Sequence, residues 1–148
     1  MNVQSTKSFW NYPCSHRQWR HGGHCSFIHG YSRSFHFVFE SQSLDKCGFV
    51  VDFGGLRKFR AMLDNWFDHT LLVNPDDPLL NDFLALEKKG ACKLTVLPNV
   101  SMEGTAEFLW NEMNKFLKLE TQGRAQCVQV EVKENDKNSA IFRGTPIL

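Results

Sequence analysis

The sequence predicts an α+β domain: a small antiparallel sheet of four strands with helices on one face, residues 1–148 forming a single domain. Three observations predict it. From His29 the chain alternates, with His29, Tyr31, Arg33, Phe35, Phe37 and Phe39 on one side and Ser32, Ser34, His36 and Val38 on the other. That period of two belongs to a strand. Residues 127–132 alternate again. Between them, Leu56, Phe59, Leu63, Trp66 and Phe67, and later Phe108, Leu109, Met113, Phe116 and Leu117, recur every three or four residues, as the buried face of a helix does.

Taken in order, residues 7–16 read as a first strand carrying Phe9 and Trp10 and ending at His16. Gly22-Gly23 mark residues 17–23 as a loop. The second strand begins at His29. Residues 41–47 are polar and turn-like, and 48–53 read as the returning arm of a hairpin. Gly54-Gly55 end that arm, and the first helix runs from Leu56 to near Asp68-His69. Residues 74–78 form a loop, and Asp76-Asp77-Pro78 opens a short helix with Leu79, Leu80, Phe83, Leu84 and Leu86. Proline suits a first turn, where its missing N–H has no partner to lose. Lys88-Lys89-Gly90 closes it. Residues 93–97 read as a short strand and 103–119 as the second long helix, broken at Gln122-Gly123. In the next strand Val128, Val130 and Val132 face one way, and residues 139–142 continue the sheet beyond a turn at 135–138.

A net charge of +1 argues for neither nucleic acid nor an anionic membrane as partner. No apolar run approaches the roughly 20 residues of a membrane span, and the N-terminus lacks the apolar core of a signal peptide. Five scattered cysteines without disulfide-framework spacing read as free thiols of a reducing cytoplasm. Thirteen Phe and four Trp in so short a chain call for a well-filled core or a buried subunit interface. An open sheet has edges that need partners, so a homo-oligomer is expected.

Chemistry concentrates between residues 14 and 36. Five of the six histidines, His16, His21, His24, His29 and His36, lie there with Cys14 and Cys25. Imidazole and thiolate are the usual ligands of zinc-like metals and the usual proton carriers. His29 and Tyr31 are two apart and share a strand face, and His16 meets them if the strands pair. Three convergent ligands with a fourth position open are the layout of a catalytic zinc. Phenol, with a reference pKa near 10, is a weaker ligand than imidazole, so His24 or water could complete the shell. His36 points the other way. Cys25 precedes His29 by four residues. In Asp68-His69 a carboxylate would fix the imidazole tautomer and raise its basicity. Each feature also has a plain structural reading: a solvated loop, a satisfied core histidine, a helix-end histidine on the dipole, a helix cap at Thr105 and Glu107, a solvated strand-end Glu134.

Together these pieces resemble the tetrahydropterin synthases, the 6-pyruvoyl and 6-carboxy types. The family pattern is an early His, then Cys-x-x-x-His-Gly-His-x-aromatic; here it reads His16, then Cys25-x-x-x-His29-Gly30-Tyr31, with Tyr31 in place of the second His. Asp68-His69 with the following Leu71 matches the family's Asp-His-x-Leu. Gly104-Thr105-Ala106-Glu107 is similar to its Pro-Thr-x-Glu, and Glu134 to the glutamate ending its strand before Ala-x-Tyr. The resemblance covers about residues 8–144, with 74–98 longer than usual and without a matched role.

It implies the family's α+β fold, trimers closed through edge strands and stacked as a hexamer, and active sites between subunits. It implies Zn2+ at His16, His29 and Tyr31, a proton relay of Cys25, Asp68 and His69, and substrate binding by Glu134, Thr105 and Glu107. Glu134 would accept hydrogen bonds from the 2-amino and N3–H groups of a pterin. The substrate implied is 7,8-dihydroneopterin triphosphate. Gly23-His24 before Cys25 and the Arg143-Gly144 ending look like the 6-carboxy branch of queuosine-precursor synthesis. A 6-pyruvoyl synthase and a non-catalytic pterin- or metal-binding paralogue are the alternatives.

Overall fold

The computed structural model describes residues 2–145. Strands β1 (Val3–His16), β2 (His29–Ser41), β3 (Thr70–Val73), β4 (Leu94–Val96), β5 (Gln126–Lys133) and β6 (Ser139–Arg143) form one sheet in the order β4-β3-β1-β2-β5-β6. The helices are α1 (Arg57–Phe67), α2 (Leu80–Lys88) and α3 (Met102–Glu120). The sheet is therefore six-stranded and mixed, not the four-stranded antiparallel sheet expected. β1–β2, β2–β5 and β5–β6 pair antiparallel, while β1–β3 and β3–β4 pair parallel.

Two of the differences have plain physical causes. β3 is four residues long and buried throughout, so it carries no alternation to read. Residues 48–53 form no strand. The Asp45 carboxylate accepts from the amides of Cys47 and Phe49 and curls the chain, and Val50 and Val51 are both buried, which a half-buried strand does not allow.

One face of the sheet carries the core. Phe35, Phe37 and Phe39 on β2 stand opposite Val132, Val130 and Cys127 on β5, and all six are fully buried. The core valine set is thus corrected: a register shift beside Val38 and Phe39 turns Cys127 inward in place of Val128. Phe59, Leu63 and Phe67 of α1 and Ala106, Leu109, Met113 and Leu117 of α3 cover this face. The Tyr12 hydroxyl donates to Asp64 at 2.7 Å and ties α1 to β1. α2 is the exception to helices on one face. Leu72 joins the main core, whereas its neighbours Leu71 and Val73 pack with Phe83 of α2, and successive strand residues point to opposite sides.

A bulge in β1 aims the site. Phe9 pairs with Phe35 but Tyr12 with Arg33, so β1 carries one extra residue, and Asn11 sits at φ 69°. Asparagine tolerates that left-handed conformation better than most residues. The extra residue lets Phe9 and Tyr12, an odd number apart, share the core face, and Cys14 and His16 follow Tyr12 onto it.

Candidate metal and catalytic site

The site begins where β1 ends and β2 starts. His16 stands directly opposite His29 in the antiparallel register, with ring centroids 4.5 Å apart. A Cβ at Gly30 would strike the Cys14 carbonyl oxygen, which explains a glycine after His29. Lys133, the last residue of β5, pairs with Ser34, so the next residue, Glu134, comes level with Arg33 and reaches the histidines. Its Oε1 lies 3.9 Å from His29 Nε2. One ligand atom from each of His16, His29 and Glu134 lies within 4.8 Å of the others, a group that could hold a metal ion.

For His29 and Glu134 the donor chemistry fits. The His29 Nδ1–H donates to the Phe27 carbonyl at 2.7 Å, which leaves the Nε2 lone pair facing the Glu134 carboxylate. Two electron-rich atoms facing one another across that gap suit a cation between them. Burial, with Arg33 and His29 nearby, pulls the His16 imidazole down to about 3, so it is neutral at neutral pH, as a ligand must be.

The other expected residues are placed as follows. Tyr31, expected as third ligand, stands edge-on to His29 with centroids 6.3 Å apart and is 45% exposed. Glu134, expected to hold a pterin, is the group that joins the two histidines. His36 lies on the reverse face between the Ser8 and Ser34 hydroxyls. Cys25 is exposed on a single 3-10 turn, His24–Ser26. Asp68 and His69 are hydrogen-bonded at 2.7 Å, with the His69 side chain 81% exposed. No hydrogen bond joins that pair to Cys25 among the described residues. Thr105 is wholly buried, and its hydroxyl has no partner among the described residues. It does not cap α3: Ser101 does, accepting from the Gly104 amide. Glu107 is exposed on α3.

Two features escaped the sequence reading. The first is Arg33, 1% exposed, whose Nη2 donates to His16 Nδ1 at 2.7 Å. The signal was present: the family pattern has an aromatic two residues after its second His, and here that place holds Arg33. The second is the role of residues 74–98. Asp77 takes two hydrogen bonds from Arg17, both 2.9 Å, and Asp76 takes Trp19 and Arg20. Arg17 also reaches the Ser26 carbonyl, so this segment anchors the loop bearing Cys25.

Comparison with known proteins bears on the family and the fold. The family model described as 6-pyruvoyl tetrahydropterin synthase matches residues 6–145. A 6-carboxy-5,6,7,8-tetrahydropterin synthase of Rickettsia conorii is 31% identical over 67 residues, 45% of this chain and 49% of the relative; the match spans about half that protein's length. The enzyme of the same name from Bacillus subtilis is 27% identical over 122 residues, 82% of this chain and 71% of the relative. Among solved structures, an uncharacterized protein from Wolinella succinogenes superposes with a TM-score of 0.82 at 21% identity, covering 98% of this chain and 99% of that one. The 6-pyruvoyl tetrahydropterin synthase of Plasmodium vivax does so with a TM-score of 0.71 at 14% identity, covering 97% and 99%. With the fold, the paired histidines and a family match over nearly its whole length, the chain belongs to the 6-pyruvoyl tetrahydropterin synthase family, a family of lyases.

Proposed function

We propose that the chain is a zinc-dependent lyase of the 6-carboxy-tetrahydropterin synthase type. It converts 7,8-dihydroneopterin triphosphate to 6-carboxy-tetrahydropterin, with acetaldehyde and triphosphate, in queuosine-precursor synthesis. The observation that carries the reading is the convergence of His16, His29 and Glu134, from the ends of β1, β2 and β5, to within 4.8 Å of one another. The names of the Rickettsia and Bacillus relatives favour the 6-carboxy product.

In this reading His16, His29 and Glu134 hold the metal, and Tyr31 stands at the rim beside His29, where a phenolate could still reach it. When bound, Zn2+ supplies a Lewis acid that polarises the substrate's side-chain oxygens. Asp68 holds the His69 Nδ1 proton and leaves Nε2 free to take one. Cys25 moves a proton between side chain and ring, with the Asp68–His69 pair as its base. That pair is exposed and bonded to itself, so it can serve the Cys25 of a neighbouring copy in a trimer or hexamer. Glu107 is left to contact the substrate, and Thr105 lines the helix behind it. The free thiols suit a cytoplasmic protein.

The test is incubation of the metal-loaded protein with 7,8-dihydroneopterin triphosphate, with products followed by mass spectrometry. The 6-carboxy product is expected, and a 6-pyruvoyl product would move the chain to the other branch. A second reading, a non-catalytic pterin-binding paralogue, is favoured by Tyr31 and Arg33 standing where the family has His and an aromatic. It requires pterin binding without turnover.

A further inference from the structure

The two histidines are prepared in opposite ways. His29 donates its Nδ1 proton to a carbonyl and presents Nε2 as a bare lone pair. His16 has a donor on Nδ1 instead, Arg33 Nη2 at 2.7 Å. A guanidinium carries five N–H donors and no acceptor, so Nδ1 of His16 must be the proton-free nitrogen. The single proton of a neutral ring then sits on Nε2. A neutral imidazole binds a metal through a proton-free nitrogen, and the only one His16 has is engaged by Arg33.

Charge works in the same direction. Arg33 is 1% exposed and forms no salt bridge among the described residues. A fixed buried cation beside the place where a dication would sit raises the cost of loading it. The Arg33 Nη1 atom is buried without a partner among the described residues. Among the described residues the guanidinium's side-chain hydrogen bond goes to His16 alone.

Resting on the metal reading above, we infer that Arg33 sets the metal affinity of this site by holding His16 in the tautomer that withholds its ligand lone pair. Metal enters only as Arg33 releases Nδ1. Ligating histidines ordinarily donate their second N–H to an acceptor, and loss of such a partner costs about 10–100-fold in metal affinity. Arg33 presents a donor where that acceptor belongs.

Two measurements test this. Nitrogen-15 NMR of the metal-free protein should show the proton of His16 on Nε2 and that of His29 on Nδ1. Co2+ titration followed by visible absorption, and Zn2+ competition against a chelator, should rank the parent against Arg33→Gln and Arg33→Met. The Gln oxygen can accept from Nδ1–H, so R33Q should bind about 10–100-fold more tightly than the parent, with R33M between them. A proton on Nδ1 of His16 in the parent would overturn the inference without any variant, which keeps it testable should either variant fail to fold. R33Q binding no tighter than a metal-binding parent would overturn it and leave the metal reading standing. Equal gains from Gln and Met would leave charge alone at work and overturn the tautomer. Binding by none of the three proteins would overturn the metal reading and this inference together.

Discussion

Glu134 is the residue whose two roles separate most sharply by experiment. As a metal ligand it makes Glu134→Gln lose Zn2+ by at least about tenfold, because an amide oxygen carries no charge; chelator competition reads this. As a pterin anchor it would leave metal retention unchanged and abolish pterin binding. The cysteines divide by burial. Cys25 and Cys47 are exposed, while burial pushes the Cys127 thiol up to about 12 and raises that of Cys14 as well. The thiolate is the nucleophile, so alkylation at pH 8 should label Cys25 and Cys47 first and reach Cys14 and Cys127 only on unfolding, as peptide mass spectrometry would show. Early labelling of Cys127 would contradict the packed β2–β5 face. At this scale His16 and His29 were legible, since a period of two fixes a side chain's face. Arg33 was legible on the His29 face by the same alternation, though its bond to His16 was not; Glu134 was not read into the cluster, because its arrival depends on register between strands distant in sequence.

At the scale of elements, the clamp between the loop after β1 and the segment before α2 carries a pH signature. Burial raises the Asp77 carboxyl, but the hydrogen bonds from Arg17 and the Leu79 amide outweigh it and leave the carboxyl below its usual range. A lowered folded pKa means stability that is fully present above the unfolded value, about 3.9, and lost as pH falls through the folded one. Asp77→Asn should therefore cost about 1.5–3 kcal/mol at neutral pH. The gap from the parent should close below about pH 4 in thermal melts across pH. A gap independent of pH would mean that the ionised pair contributes nothing. The helices α1 and α3 and strands β1, β2 and β5 could be read because each is long enough to show its period. β3 could not, and neither could the bulge at Asn11, which a single residue creates.

For the whole molecule, the stacked aromatic core is the main source of stability. Phe37 is fully buried and meets Phe9, Phe39 and Phe59. Phe37→Ala should cost about 3–5 kcal/mol in chemical denaturation, since the cavity cannot collapse between two sheet neighbours and a helix. β4 and β6 are the edges of the sheet, and Trp10, Phe27, Ile28 and Tyr31 stay exposed. An assembly that covers edges and apolar side chains is expected, so light scattering should give a trimer or hexamer. A stable 17.1 kDa monomer would count against the shared-site mechanism.

The sequence by itself determined the α+β class, the long helices, the inward aromatic face of β2 and the pairing candidates His16 and His29. The class, the helices and the aromatic face follow from local periodicity, a property of neighbouring residues; the histidine pair follows from clustering in the sequence and from the resemblance. Only the tertiary structure decided that the sheet has six strands of mixed direction, that α2 crosses to the reverse face, and that Glu134 and Arg33 meet the histidines. Those outcomes depend on which strands pair and in what register. Register is set by the burial of the whole sheet, with β1 bulged at Asn11 so that Phe9 and His16 face the same side.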